Sequence, residues 1–139
     1  MGCDIHASVE YARRADWTVH VLDAGFLPRD YRFFGCLVAG HRRCEDIAGA
    51  IPERGLPPEP SRIGDSVRWT QEHNEDFPDC AVCFADHTFS WLSPDEYRAA
   101  IALYEAFGVP LDAVYHALAA YMDRLAQAGP VRLVFGFDN

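Results

Sequence analysis

The sequence predicts an α+β fold: a small antiparallel sheet that contains both termini, with about three helices packed on its apolar face. Apolar and polar residues alternate in DIHASVEY at 4–11 and again in VRLVFGFD at 131–138, which is the period of a strand with one buried face. Two stretches between them, 94–107 and 110–128, instead repeat apolar residues at helical spacing. The length of 139 residues fits one domain, which we expect to span residues 1–139.

The first strand is predicted to continue into a hairpin. A second alternating segment at 17–22 follows after a short connection that contains Arg13, Arg14, Ala15 and Asp16, which suits an antiparallel connection. The period then changes at 30–38, in DYRFFGCLV, where apolar residues share one helical stripe. Gly40 is a typical stop for a helix, so we expect a short helix here.

The middle of the chain gives weaker signals. Residues 51–65 contain four prolines and two glycines, which predicts an irregular loop. In the next segment, 66–83, the stretch VRWTQEH fits one or two helical turns.

Two helices are predicted before the last strand. The first begins with a serine cap at Ser93, a proline at its first position and a glutamate, Glu96, that closes the capping box. It ends before Gly108, and the second helix runs from about Pro110 to Gly129. Their apolar stripes, which include Phe107 in the first helix and Val114 in the second, are expected in the core.

The charge of the chain excludes some partners. It has 21 acidic residues, 12 basic residues that are all arginine, and a net charge of −9. Extended nucleic acid and anionic membrane surfaces attract clustered positive charge, so we expect neither as a partner. No apolar run is long enough to cross a bilayer and no leader precedes the first strand, so the expected location is the cytoplasm of the host cell.

The predicted pairing of the first and last strands brings polar side chains together. An antiparallel register places Asp138 on the same side of the sheet as Asp4 and His6. The segment ADHTFSWL adds Asp86 and His87 at a loop-to-helix junction, where functional residues are common. These five residues form the candidate catalytic set, in which imidazoles carry protons and carboxylates fix their tautomers.

Four of the same residues also suit a metal ion. Divalent cations bind neutral imidazole nitrogen and carboxylate oxygen, so Asp4, His6, His87 and Asp138 are candidate ligands. The cofactor is therefore left open between no cofactor and a divalent metal ion.

The five cysteines are an odd number, which fits reduced thiols better than a disulfide framework. Cys80 and Cys83 form a CxxC, and together with His73 before it and His87 after it they give a weaker, structural zinc alternative. Cys3 lies near an imidazole in the sequence and could be a nucleophile. Its strand position on the face of Ile5 favours a small buried side chain instead.

Other residues suit a nucleotide-type ligand, because aromatic rings stack on bases and arginines make two-point contacts with phosphate. The candidate ligand-binding residues are Tyr31, Arg32, Arg54, Ser90, Trp91 and Asn139. The competing interpretation is structural: the carboxylates hold loop amides, His87 is hydrogen-bonded near the helix start, and Trp91 packs in the core.

Five short blocks spread over the chain carry a resemblance: MGCDIH, RDYRFFGCLVAG, PERGLP, DHTFSWL and VRLVFGFDN. Together they resemble a family of short phage and prophage proteins that begin with MGCDIH and end in VFxFDN. The chain departs from that pattern at Asp30, where asparagine is usual, at Thr88 and Phe89 inside the histidine block, and at Gly136, where tryptophan is common. The resemblance implies a phage origin and an ordered polar site, without a class-wide activity.

Three functions follow as hypotheses. The first is a phage-encoded small hydrolase, a metal- or histidine-dependent phosphodiesterase, acting on a phosphodiester or nucleotide-type signal in counter-defence. The second is a non-catalytic sponge that sequesters a nucleotide immune signal, and the third is a protein-binding inhibitor. The expected partner is a small nucleotide-like ligand, and a homo-oligomer is left open.

Overall fold

The computed structural model describes residues 2–13, 16–23, 27–41, 47–59, 61–63, 66–69, 85 and 87–138. Within these ranges the strands are β1 (Asp4–Arg13), β2 (Asp16–Asp23), β3 (Ser61–Ile63), β4 (Ser66–Trp69), β5 (His87–Leu92) and β6 (Val131–Asp138). The helices are α1 (Tyr31–Leu37), α2 (Pro94–Glu105) and α3 (Ala113–Ala126). The fold is α+β, as the alternating and helical patterns predicted.

The strands form one sheet in the order β4-β3-β2-β1-β6-β5. β1 and β2 make the predicted hairpin, and β1 also pairs antiparallel with β6. The sheet is larger than the small antiparallel one that we expected, and it is mixed, since β2 and β3 run parallel. The two central strands are therefore the first and last of the chain.

The register between β1 and β6 is the predicted one. Asp4 lies opposite Asp138, and the pairing continues without a shift to Tyr11 opposite Val131. Alternate residues of both strands, such as Ile5 and Phe137, are buried in the main core, while their sequence neighbours lie on the second face.

The helices cover the first face of the sheet. Asp30 caps α1 by accepting a hydrogen bond from the amide of Phe33, and Ser93 and Glu96 form the predicted capping box of α2. The ring of Phe33 packs between Tyr97 and Tyr115, and the hydroxyl of Tyr97 donates to the backbone carbonyl of Tyr115 at 2.8 Å. This aromatic cluster joins all three helices.

Two helical predictions were wrong in detail. α3 begins at Ala113 instead of near Pro110, because the side chain of Asp112 caps the amide of Val114. Phe107 and Val114 are exposed instead of buried. Phe107 lies beyond the end of α2, in a turn where Gly108 has a φ of 77° and the helical stripe no longer continues.

The weak middle signals were also partly wrong. Residues 61–63 of the predicted loop form β3, and Val67–Trp69 lie in β4 instead of a helical turn; the remainder of VRWTQEH lies outside the described residues. The segment 87–92, which we expected to form a loop-to-helix junction, is strand β5. In each case pairing with a neighbouring strand decides the backbone, and local composition does not report such pairing.

Part of the second face of the sheet is covered by the later residues of the irregular segment 47–59, whose earlier residues Ile47 and Ile51 pack against the main core. Leu56 and Trp91 pack against Val134, and Glu59 reaches Arg132. β6 is consequently buried on both sides along most of its length. Among the helices that the structure describes, none is both long and apolar enough to span a bilayer.

Candidate functional site

A short polar contact at one end of the second face joins His6 and Asp138. His6 lies opposite Gly136 and Asp138 lies opposite Asp4, so both side chains leave the sheet on the same side. Nε2 of His6 is 2.6 Å from Oδ2 of Asp138, and 41% and 35% of the two side chains are exposed. The contact uses Nε2, and Nδ1 makes no hydrogen bond with the described part of the chain.

A second pair lies beside the first. The guanidinium of Arg29 donates to both carboxylate oxygens of Asp4, from Nε at 2.5 Å and from a terminal nitrogen at 3.1 Å. The hydrogen bond from Arg29 lowers the pKa of Asp4, and the Asp4 carboxylate raises the pKa of Arg29. Asp138 also contributes to the field at Arg29, so the two pairs belong to one cluster.

The absence of a side chain at Gly2 leaves space for the guanidinium of Arg29. A Cβ at this position would lie 1.9 Å from a terminal nitrogen of the Arg29 guanidinium, so any larger residue forces that side chain to move. The sequence predicted the imidazole and the two carboxylates of this cluster but not the arginine. Arg29 lies in a loop before α1, and no periodic pattern indicates which side chain of a loop turns towards a strand end.

His87 does not join the cluster. It lies opposite Phe137, its ring is stacked on that of Phe137 at 6.2 Å, and the ring of His41 is 6.4 Å away. Phe137 belongs to the main core, on the opposite face of the sheet from His6. The predicted catalytic set is therefore divided between the two faces.

The predicted metal site does not assemble. Among the described residues, no group of three or more His, Cys, Asp or Glu side chains is placed to hold a metal ion. Of the four candidate ligands, Asp4 is occupied by Arg29, His6 and Asp138 bind each other, and His87 lies across the sheet. The zinc alternative at Cys80, Cys83 and His73 lies outside the described residues, as do Asp86 and Asn139.

Cys3 is buried, as its strand position predicted, yet it has an imidazole beside it. Its Sγ is 3.6 Å from Nε2 of His41, which is buried against Phe34 and Phe137. His41 was missed in the sequence because it follows the helix stop at Gly40, where no pattern predicts its direction. The pair lies inside the core, on the opposite face of the sheet from the partly exposed cluster of His6 and Asp138.

Three predicted ligand-binding residues form a structural contact instead. Arg54 makes a two-point ion pair with Glu96, and its guanidinium lies 4.5 Å from the centre of the Trp91 ring. The backbone amide of Arg54 donates to Oγ of Ser90, which is buried. Arg54 therefore connects the 47–59 segment to β5 and α2, and its charge is paired with that of Glu96.

The two remaining predicted ligand residues lie on α1. The hydroxyl of Tyr31 accepts a hydrogen bond from the amide of Cys3 at 3.2 Å, so this ring supports the start of the chain. The guanidinium of Arg32 lies 4.9 Å from the centre of the Phe107 ring. That contact directs Arg32 towards the end of α2, where it meets neither His6 nor Asp138.

An open groove of about 540 Å³ lies elsewhere, between the start of α2, the end of α3 and the start of β6. Arg98 fills its polar side by pairing with Asp95 and Asp123. The groove meets β6 at Val131, whereas the polar cluster lies at Asp138, the other end of that strand. The groove and the cluster are separate features.

Comparison with known proteins does not add a relative. No family model, curated protein or solved structure matches this chain. The site must therefore be interpreted from its own chemistry: a carboxylate-held imidazole, partly open to solvent, with a guanidinium beside it.

Proposed function

We propose that this chain is a small hydrolase that cleaves a phosphodiester bond in a nucleotide-type ligand, with His6 and Asp138 as its acid–base pair. The observation that carries the proposal is the 2.6 Å contact between His6 and Asp138 at a partly exposed strand end. A carboxylate bound to one ring nitrogen fixes the tautomer of an imidazole and stabilises its protonated form. The other nitrogen is then directed to a substrate.

The reaction needs one proton carrier on the reacting side. His6 accepts a proton from an attacking water molecule as the water oxygen bonds to phosphorus. The ester P–O bond then breaks, and His6 returns the proton to the leaving oxygen, so the products are a phosphate monoester and an alcohol. Asp138 remains ionised throughout and holds the imidazolium between the two transfers.

Arg29 supplies the positive charge that a phosphodiester requires. Guanidinium groups bind phosphate oxygens through paired hydrogen bonds, and such a contact strengthens as charge develops on the phosphoryl oxygens. Asp4 holds Arg29 in place through Nε and one terminal nitrogen. The role that we expected for Arg32 or Arg54 is thereby assigned to Arg29, because Arg29 lies beside the His6–Asp138 pair and its contact with Asp4 leaves the second terminal nitrogen for a phosphate oxygen.

The biological setting remains the one that the phage resemblance implies. Removal of a nucleotide signal used in bacterial immunity would benefit a phage, so we place the activity in counter-defence. The acidic net charge of −9 favours a small ligand held locally over a long nucleic acid.

The experiment is a hydrolysis assay on a panel of cyclic mononucleotides, cyclic dinucleotides and bis(p-nitrophenyl) phosphate, with products separated by chromatography. We expect turnover of at least one diester, and a decrease in kcat of about 10²- to 10⁴-fold for His6→Gln. Arg29→Gln should lower kcat as well as raise KM, because the contact with phosphate strengthens in the transition state. His116→Gln is the matched control, since His116 is a second partly exposed histidine beside a carboxylate, that of Glu105.

Two results would contradict the proposal. One is that the wild-type protein cleaves no diester in the panel, including a case in which bound nucleotide is released intact by heat, as a sponge would release it. The other is that His6→Gln and His116→Gln retain equal activity. Each variant is compared by circular dichroism, so that a loss of fold is distinguished from a loss of chemistry.

A further inference from the structure

The guanidinium of Arg29 is held on two sides. Asp4 accepts hydrogen bonds from Nε and from one terminal nitrogen, Nη2, and the backbone of Gly2 lies against the rest of the group. A Cβ at position 2 would lie 1.9 Å from Nη1, 2.2 Å from Cζ and 2.6 Å from Nη2. All three distances are shorter than non-bonded atoms allow, so the guanidinium can occupy this position only beside a residue without a side chain.

The terminal nitrogen Nη1 of Arg29 is the donor that the proposed phosphate contact needs. Nε and Nη2 already donate to the carboxylate of Asp4, and that contact leaves Nη1 for a phosphate oxygen. Nη1 is also the atom nearest to the position that a Cβ on Gly2 would take. A side chain at position 2 would therefore displace or cover the nitrogen on which the phosphate contact depends.

The backbone of Gly2 does not itself require glycine. Its φ lies outside the left-handed region, in contrast to Gly40 and Gly55, whose φ values are 79° and 74°. Alanine can adopt such a backbone, and the atoms that its methyl group would meet belong to the end of one long side chain. The absent side chain at position 2 thus matters to Arg29 and not to the course of the chain.

Arg29 gains most from being held before a ligand binds. Its side chain is 48% exposed, and a long exposed arginine loses rotamer freedom when a ligand fixes it. Contacts that already hold the guanidinium reduce that loss on binding. We propose that Gly2 is a positioning residue of the phosphate site, which keeps Arg29 against Asp4 with Nη1 open to the ligand. This inference rests on the proposed function, because the ligand of Nη1 is the phosphodiester.

NMR spectroscopy of the Arg29 Nε–H group tests the position without any reaction. The signal is assigned by its absence from Arg29→Gln, and in the wild type it should shift on titration with inorganic phosphate. Gly2→Ala should move the signal towards that of solvent-exposed arginines and raise the dissociation constant of phosphate by at least about fivefold. Gly2→Ser places a Cβ at the same point and serves as a second variant. Gly129→Ala is the matched control, because Gly129 also has an ordinary φ and precedes β6 at the end opposite to Asp138.

A double-mutant cycle tests whether Gly2 acts through Arg29. Gly2→Ala should lower kcat/KM for the cleaved diester by about 10- to 100-fold, because the phosphate contact is misplaced. Glutamine lacks Cζ and both terminal nitrogens, so adding Gly2→Ala to Arg29→Gln should cause no further loss. Additive losses would overturn the proposal, as would a Gly2→Ala protein whose Arg29 signal and phosphate affinity equal those of the wild type.

The failure of this proposal and that of the hydrolase proposal are distinguishable. If no diester is cleaved, the hydrolase proposal is wrong, and the phosphate titration alone decides whether Gly2 preserves an anion site at Arg29. If a diester is cleaved and Gly2→Ala retains the wild-type kcat/KM, the hydrolase proposal stands and the role of Gly2 is overturned. Circular dichroism of each variant distinguishes a displaced Arg29 from a loss of fold.

Discussion

Gly136 in β6 lies in contact with Phe89 in β5. A Cβ at position 136 would stand 3.0 Å from the Phe89 ring and 2.7 Å from the Cβ of Ala85. The ring of Phe89 and the methyl group of Ala85 thus occupy the space that a side chain at position 136 would need.

The first prediction follows from this contact. Gly136→Ala should lower the free energy of unfolding by about 1–3 kcal/mol, because the added methyl group has no room between two neighbours. Ala85→Gly in the same chain should restore much of the loss, since it removes the nearest atom. Urea denaturation of the two single variants and the double variant measures the coupling. Additive losses would show that the contact is not the cause.

The second prediction concerns Glu96, whose pKa is lowered chiefly by its hydrogen bond with Arg54. A carboxyl group with a lowered pKa stabilises the fold above its unfolded pKa, and this contribution is lost as the pH falls through the folded value. Glu96→Gln should therefore be less stable than wild type near pH 7, by about 1–2 kcal/mol, with a difference that shrinks in acid. Thermal unfolding at several pH values measures it.

Glu53→Gln is the matched control for that experiment. Glu53 is exposed and precedes Arg54 in the same segment, so its removal leaves the ion pair intact. Equal behaviour of the two variants at neutral pH would contradict a stabilising role for the Arg54–Glu96 pair. A difference that persists unchanged into acid would point to lost packing instead of lost charge.

The third prediction concerns Tyr104, whose hydroxyl donates to Oδ2 of Asp30 at 2.5 Å. This hydrogen bond to a carboxylate raises the pKa of Tyr104 to about 12. A raised pKa stabilises the fold below the unfolded value near 10, and the contribution is lost as the pH rises from there through 12. Wild-type stability should thus fall more steeply in alkali than that of Tyr104→Phe, by about 1 kcal/mol for each pH unit above 10.

Asp30→Asn distinguishes the effect of the negative charge of Asp30 on Tyr104 from its role as the N-cap of α1. Asparagine also caps helices well, so α1 should persist, while the phenol of Tyr104 loses its anionic partner. The alkaline slope of Asp30→Asn should then approach that of Tyr104→Phe in the same denaturation series. An unchanged slope in Asp30→Asn would show that the carboxylate does not control the titration.

The fourth prediction concerns the buried pair of Arg132 and Glu10 on the second face. Their side chains are 3% and 0% exposed, and the guanidinium also binds Glu59 and lies 3.9 Å from the centre of the Trp17 ring. Arg132→Met should destabilise the fold by about 3–5 kcal/mol, because it leaves a buried carboxylate without its cation. Replacing both partners, as Arg132→Met with Glu10→Leu, should recover most of that loss in guanidinium denaturation.

If the double variant is as unstable as the single one, Arg132 acts through its contacts with Glu59 and Trp17 instead. Glu59→Gln measures the contribution of the Glu59 contact. Because the carboxylate of Glu59 is largely exposed, we expect its loss alone to lower the free energy of unfolding by well below about 1 kcal/mol.

The sequence was most informative where periodicity and pairing agree. Alternation in β1 and β6 predicted both strands, and the antiparallel register then placed Asp138 beside His6. His87 was expected at the site because it precedes the helix start, whereas it lies in β5, which contains an irregularity between His87 and Ser90, where Thr88 has a φ of 55°. A displaced residue of this kind changes which face a side chain occupies, and alternation alone does not indicate it.

Hydrophobic periodicity does not predict the directions of side chains in loops. Arg29 and His41 lie in irregular segments, and their directions depend on contacts with distant strands. Arg54 was recognised as a candidate, but its ion pair with Glu96 joins positions 42 apart in the chain. Composition predicts that an arginine is available, whereas only the folded chain shows which acid has already bound it.

The pairing of β1 with β6 at the centre of the sheet has a consequence for how quickly the protein reaches its native state. Across β1 and β6, Glu10 meets Arg132 at a separation of 122 positions, and His6 meets Asp138 at 132. Nearly the whole chain must close into one loop, at a cost in conformational entropy, before the contacts between β1 and β6 can stabilise it. The formation of this pairing should therefore limit the rate of refolding. We expect refolding on the millisecond-to-second scale, with the helices formed well before β1 pairs with β6.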